Sequence, residues 1–228
     1  MNFTIFCGLS VLPKSMKFPL RRFCGLQGDV AGLTVNFVLN PESRLAAQDL
    51  EKRLGIPSIE LTRLYQVSQI HKQYQALAKA LDVTIDDQVW LEKAQAVVAQ
   101  MREKYSGTTV AIGEMQNGNA FEMALALTRY GFIVREIYAN LGPDDFVYLR
   151  HLAELSPETK VYSNLSPSML YYEGDEASID VTIGKDAAYY HEQAAHLHWD
   201  EDIQPFGYAG VVSLLKRLEE VLLERKKR

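Results

Sequence analysis

Two stretches of this chain repeat one layout, strand, helix, glycine, strand, and that repetition limits the fold more than any other feature. In the first, LTVNFVL (33–39) is a short β-branched run suited to a buried strand. Asn40 and Pro41 follow as N-cap and first helical residue, the preferred pairing at a helix start. Leu45, Ala46, Leu50 and Leu54 form an apolar stripe at helical spacing, Gly55 stops it, and IPSIEL is the next strand. In the second, TTVAIGE (108–114) is the strand and MQNGN the polar turn. Asn119 with Glu122 three residues on makes an Asn variant of the capping box. Phe121, Ala124, Leu125 and Thr128 give the buried face, Gly131 ends the helix, and FIVREIYA is the following strand. Strand–helix–strand, twice, predicts right-handed parallel βαβ units.

The remainder alternates in the same way. Helices are predicted near 68–80, 85–105 and 144–155, and strands near Val161 and in DVTIG, with a loop or short helix through SPSMLYYEGDEA between those strands. A last helix from about Tyr208 carries Val211, Leu214, Leu215, Leu218, Val221 and Leu222 on one side. The basic end ERKKR complements the negative end of that helix. The predicted class is α/β, with Rossmann-like parallel sheets, flanking helices and two lobes. The expected division is a partial Rossmann-like lobe over 1–83, a connecting helix over 84–106, and a second lobe with the C-terminal helix over 107–228. A cleft between two such lobes is where ligands commonly sit.

A formal net charge of −5 argues against nucleic acid or an anionic membrane as partner. No apolar stretch reaches the ~18 residues that a membrane-spanning helix needs. The start, MNFTIFCGLSVLPKSMK, has no basic region or small-residue cleavage site and reads as a strand, so a cytoplasmic protein is expected. The two cysteines, Cys7 and Cys24, fit no short metal motif. They read as small buried thiols, as ligands shared with another chain, or as a reactive thiol.

Polar groups with chemical potential concentrate in IDVTIGKDAAYYHEQAAHLHWDEDIQPFGYAG (179–210). Alternate strand residues share a face, so His196, His198 and Asp200 are expected to point the same way. Two imidazoles and a carboxylate are the donor types of a facial metal triad, although a flat row is poorly shaped to wrap one ion. One histidine acting as ligand, cofactor contact or proton donor suits a side chain that titrates near neutrality. Trp199 serves either packing or cofactor stacking. The turn Gly113–Asn119, with Glu114, Asn117 and Asn119, precedes a helix N-terminus, where backbone N–H groups favour an anion. It is neither a Walker A loop nor GxGxxG, and turn chemistry alone also explains it. Lys185 and Asp186 follow a strand, where a lysine either holds an anionic ligand or stays solvated. Ser163, Ser166 and Ser168 lack a G-x-S-x-G context for a nucleophilic hydrolase. Glu173, Asp175 and Glu176 read as a solvated loop.

From about Asn36 to Gly210 the order of these segments resembles the nitrogenase component 1 superfamily. That family holds molybdenum–iron protein subunits, their cofactor-assembly paralogues and the catalytic components of protochlorophyllide and chlorin reductases. AAQDLEKRLGIPSIEL resembles the family's helix ending in a Gly-Ile-Pro turn, and GTTVAIGE with FEMALALTRYGFIV its third lobe's opening βαβ unit. DVTIGKDAAYY resembles the strand and lysine loop before the cofactor. LHWDEDIQPFGYAG resembles a Met-His-Ser-Trp-Asp…Pro-Tyr-His-Gly-Tyr-x-Gly segment, whose first histidine ligates the nitrogenase cofactor and falls here on His198. Trp199 and Asp200 follow with one residue missing, and Pro205, Gly207, Tyr208 and Gly210 match its end.

The departures bear on chemistry. The family's cofactor-ligating cysteine belongs just before the helix near Pro41, where this chain reads Val38-Leu39-Asn40. The lobe that supplies cysteines to the electron-relaying cluster is missing, so the resemblance implies a C-terminal portion or a reduced paralogue. It implies an oxidoreductase subunit lining part of a metallocofactor or tetrapyrrole pocket, with His198 as catalytic group and metal ligand. Glu114, Asn117, Asn119, Lys185 and Trp199 would be cofactor contacts. An iron–sulfur or related cluster would be shared with another chain, or absent from this one alone. Homo- or hetero-oligomers with component 1-like chains and an ATP-dependent reductase would be partners. The alternatives are a non-catalytic assembly scaffold or binding module and, third, a two-lobed nucleotide-sugar transferase.

Overall fold

Both predicted βαβ units form, and in each the two strands lie parallel. A computed structural model describes residues 9–11, 35–115, 118–174, 178–199 and 205–225. The chain divides into two units, Met1–Arg63 and Leu64–Arg228.

In the first unit, β1 (Leu9–Val11) runs antiparallel to β2 (Asn36–Val38), which pairs in parallel with β3 (Ser58–Glu60). A 3₁₀ turn over Pro41–Ser43 precedes α1 (Arg44–Leu54) and shifts the inward face away from the predicted stripe. Ala47 is buried, whereas Leu45 is 78% exposed. Arg44 makes a two-pronged contact with the Glu60 carboxylate at 2.6 and 2.9 Å, tying the helix start to β3.

In the second unit, α2 (Val67–Ala80) and α3 (Gln88–Tyr105) lead into β4 (Thr109–Gly113), α4 (Ala120–Arg129) and β5 (Ile133–Tyr138). Then follow α5 (Phe146–Leu155), β6 (Lys160–Tyr162), a 3₁₀ turn at Pro167–Tyr171, β7 (Val181–Ile183), α6 (Lys185–Tyr190), β8 (Ala195–Leu197) and α7 (Gly207–Arg225). Both α2 and α3, which the sequence suggested for the first lobe and the connection, fall within this unit. The five strands are all parallel, in the order β6-β5-β4-β7-β8, which is the doubly wound pattern in which the chain reverses direction beside β4.

The two sheet faces differ. Val110, Ile112, Val181, Ile183 and Leu197 join a large core with Phe121, Leu125, Leu214 and Leu218 from α4 and α7. Each large side chain buried there contributes roughly 1.5–3 kcal/mol. Ala111 and Tyr138 face the other side, under α6. A register shift opposite Val110/Ala111 leaves Arg135 unpaired, so Val134 pairs with Val110 but Glu136 pairs with Ala111. That one-residue bulge brings Glu136 and Tyr138 onto the α6 side.

Candidate functional site

The carboxyl ends of the strands gather most of the predicted site residues, because a parallel sheet delivers every strand-to-helix loop to one edge. Continuing the register past Ile112, Ile183 and Leu197 places Gly113, Gly184 and His198 side by side. Gly184 has φ +87°, and a Cβ on it would meet the Gly113 Cα at 3.3 Å. Only glycine combines that backbone with such a close approach. The two loops are thereby drawn together.

A polar network spans the edge. The Glu114 N–H donates to Asp186 Oδ2 at 3.3 Å, and Asn164 Nδ2 donates to the same oxygen at 3.2 Å. Asn140 Nδ2 donates to Glu114 Oε2 at 3.1 Å, while its Oδ1 accepts from Ser163 Oγ at 2.9 Å. Loops after β4, β5, β6 and β7 are thus laced together. Asn140 and Asn164 went unnoticed in the sequence, where single asparagines in loops carry no pattern.

Each predicted residue among those described has a defined place. Lys185 opens α6 and is exposed, as is Glu114. Asn119 is committed to the scaffold. Its Oδ1 accepts from the Phe121 and Glu122 N–H groups at 2.9 Å each, and its Nδ2 donates to Asp145 Oδ1 at 2.5 Å. The capping box is half formed, since Glu122 turns away from the cap. His198 lies just past β8 with its ring exposed, and its carbonyl accepts from Arg217 Nη2 at 2.7 Å. The His196 and His198 rings are 6.2 Å apart, on the opposite side from Leu197 and Trp199, which are buried. Trp199 has no exposed surface, its indole N–H donates to the Tyr65 hydroxyl at 3.0 Å, and the Arg217 guanidinium sits 5.2 Å from its ring centre. It is a core residue here, not a ring open to a ligand. Asn117, Asp200, Cys7 and Cys24 lie outside the described residues.

Behind the edge are buried polar groups that the sequence did not reveal. Glu122 accepts from the Tyr65 N–H at 2.7 Å, the Gln66 N–H at 3.1 Å and Gln66 Nε2 at 3.0 Å. Burial pushes its carboxyl up to about 7, although these donors pull the other way. Gln66 also accepts from Arg129, and Tyr130 donates its hydroxyl to the Tyr65 carbonyl at 2.6 Å. The Gly-Tyr-x-Gly segment has a structural reason as well. Tyr208 donates to Asp87 Oδ2 at 2.6 Å, and His71 Nδ1 lies 2.8 Å from that oxygen. Burial favours a neutral Asp87, but these two contacts outweigh it and hold the carboxyl below its ordinary range.

The strand order and this laced edge define a doubly wound α/β unit of Rossmann type with polar loops at the strand carboxyl ends. A family model described as nitrogenase component 1 type oxidoreductase matches residues 29–223, and the chain belongs to that family. Among solved structures, nitrogenase Cp1 at pH 6.5 aligns with a TM-score of 0.65 and 19% identity, covering 80% of this chain and 43% of that chain. The likeness shows the fold, and the present chain spans less than half the length of that nitrogenase chain. Ligand-free aspartate transcarbamoylase from Trypanosoma cruzi aligns at 12% identity with a TM-score of 0.31, covering 76% of this chain and 73% of that chain, too weak a likeness to carry an argument. No curated protein sequence matches the chain.

The donor set can be tested against the cluster chemistry of such a family. Iron–sulfur clusters are held chiefly by thiolates. The described residues contain no cysteine, and none of their His, Asp and Glu side chains form a group of three able to hold a metal ion. These residues do not fit a cluster held by themselves. Among the described residues, no helix is long and apolar enough to cross a membrane.

Proposed function

We propose that this chain is a component 1-like subunit that forms one wall of a cofactor or tetrapyrrole pocket completed by a companion chain. The observation that carries this reading is the edge itself. The exposed His198 imidazole, the Gly184–Lys185 loop and the Glu114 carboxylate all emerge from the carboxyl ends of neighbouring parallel strands. Lys185 supplies positive charge toward an anionic substituent. His198 supplies either a single nitrogen donor or a proton. Glu114 is oriented by Asn140. Asn119 and Trp199 serve this reading indirectly, by holding the start of α4 and the end of β8.

Because the described donors do not fit a cluster held by themselves, this reading assigns redox chemistry to a cluster completed by the companion chain, with a partner reductase acting there. Anaerobic co-purification with a cysteine-bearing component 1-like chain tests the reading. A complex should form whose cofactor content and turnover fall when His198 is replaced by Ala. Unchanged retention and turnover in that variant would remove the role given to His198.

The lack of a thiol among the described donors favours a second reading, a non-catalytic scaffold that docks a cofactor precursor. The two separate cleanly. A scaffold binds tetrapyrrole or precursor as a colourless protein without supporting turnover, whereas a catalytic wall is needed for turnover in the assembled complex.

A further inference from the structure

On the α6 side of the sheet a groove of about 530 Å³ is lined by Tyr171, Tyr172, Tyr189 and Tyr190 with Glu173, Glu192 and the exposed Leu170. Tyr171 and Tyr189 are 86% and 75% exposed, a large aromatic area to leave in water. Tyr172 and Tyr190 form the floor and meet at 5.2 Å between ring centres. Among the described residues, no lysine, arginine or histidine lines the groove.

A second observation lies behind the floor. Tyr190 stacks on Tyr138 at 4.8 Å, and the Tyr138 hydroxyl donates to Glu136 Oε2 at 2.6 Å. Glu136 is 1% exposed, and His191 Nε2 lies 2.6 Å from that same oxygen. The other carboxyl oxygen, Oε1, is buried without a hydrogen-bond partner among the described residues. The acceptors that reach the groove itself are the exposed Glu173 and Glu192 carboxylates at its rim. Tyrosine faces carry negative potential, and carboxylates beside them add to it.

We propose that this groove is a docking site for a lysine- or arginine-bearing segment of a partner protein. A guanidinium or ammonium group laid on a tyrosine face gains attraction from the ring, and Glu173 or Glu192 can pair with its N–H groups. The long alkyl stem of either residue covers the aromatic area that now faces water. The open shape suits an extended segment, and Tyr and Arg are the side chains that most often anchor protein interfaces. This site shares the β6–β7 connection and α6 with the strand edge but uses none of the residues given a role there, so it does not depend on the cofactor reading.

The test is a titration of the full chain with a capped Gly-Arg-Gly-Lys-Gly peptide, followed by tyrosine ring signals in NMR. A neutral Gly-Gln-Gly-Gln-Gly peptide is the control. The cationic peptide should bind saturably, and more weakly as salt is added. Tyr189→Ala, or the pair Glu173→Gln with Glu192→Gln, should weaken it about tenfold. Unchanged far-UV circular dichroism of these exposed-site variants shows that they remain folded. Absence of saturable binding, equal binding of the neutral peptide, or equal binding by the variants would overturn the proposal.

Discussion

Glu122 and Tyr65 are joined across 57 residues of sequence by a buried hydrogen bond, the Tyr65 backbone N–H donating to the carboxyl at 2.7 Å. Glu122 thereby fastens the segment entering α2 onto α4.

That clasp has a pH signature. Burial raises the Glu122 carboxyl from its ordinary 4.5 to about 7, so the folded state binds a proton more tightly than the unfolded chain does. Its contribution is then fully present below pH 4.5 and is lost as pH rises through about 7. The change is on the order of 3 kcal/mol. In Glu122→Gln the side chain stays neutral, so the stability difference between parent and variant should shift by that amount across the window. Urea unfolding at several pH values measures it. A difference that stays flat with pH would show that the three N–H donors, not burial, govern this group.

Gly207 and Tyr74 make a steric prediction. A Cβ at Gly207 would lie 2.1 Å from the Tyr74 hydroxyl oxygen, and the glycine has φ +59°. Gly207→Ala must therefore strain the backbone and displace the ring, at a cost of roughly 2–4 kcal/mol. Adding Tyr74→Phe removes the atom nearest the new methyl and should recover part of the loss. Thermal melts of the single and double variants check this, and no recovery would point to backbone strain alone.

Much of this architecture was legible because it rests on local pattern. The β-branched runs of β4 and β5 and the Leu214–Leu218–Leu222 stripe of α7 declare themselves, and that stripe is buried as its spacing requires. What stayed hidden depends on partners distant in sequence. The bulge at Arg135 adds one residue without changing composition, yet it decides which face Glu136 occupies. Glu122 read as the partner of its own cap but binds a segment that precedes it by more than fifty residues. For Trp199 the sequence favoured packing over cofactor stacking but could not name its partner, Tyr65, which lies far off in the chain. At the site, strand ends could be located, but the Asn140 and Asn164 bridges between loops could not.

The Trp199–Tyr65 contact should behave as a coupled pair. Both side chains are almost fully buried, and the indole N–H to hydroxyl distance is 3.0 Å. Trp199→Phe loses core contacts and this hydrogen bond together, at an expected cost of about 2–4 kcal/mol. Tyr65→Phe alone removes the hydroxyl that accepts the indole N–H and should cost roughly 1–3 kcal/mol. In the double variant neither polar group remains, so the losses should fall short of additive by about 1 kcal/mol. Strict additivity in denaturant unfolding would mean that the bond contributes nothing to stability.

Asn119 and Lys185 stand at the same sheet edge, and opposite behaviour is expected of them. Asn119 caps α4 through two N–H groups and holds Asp145, so Asn119→Ala should destabilise the fold by about 1–2 kcal/mol. Lys185 is exposed at the first position of α6, and Lys185→Ala should change stability by no more than about 0.5 kcal/mol. If the edge faces an anionic ligand, the lysine variant loses binding in the assembled complex while keeping its melting temperature. The asparagine variant should lose melting temperature first, and binding only as the start of α4 loosens. Parallel melts and binding titrations distinguish the two residues, and a large stability loss at Lys185 would move it from ligand contact to scaffold.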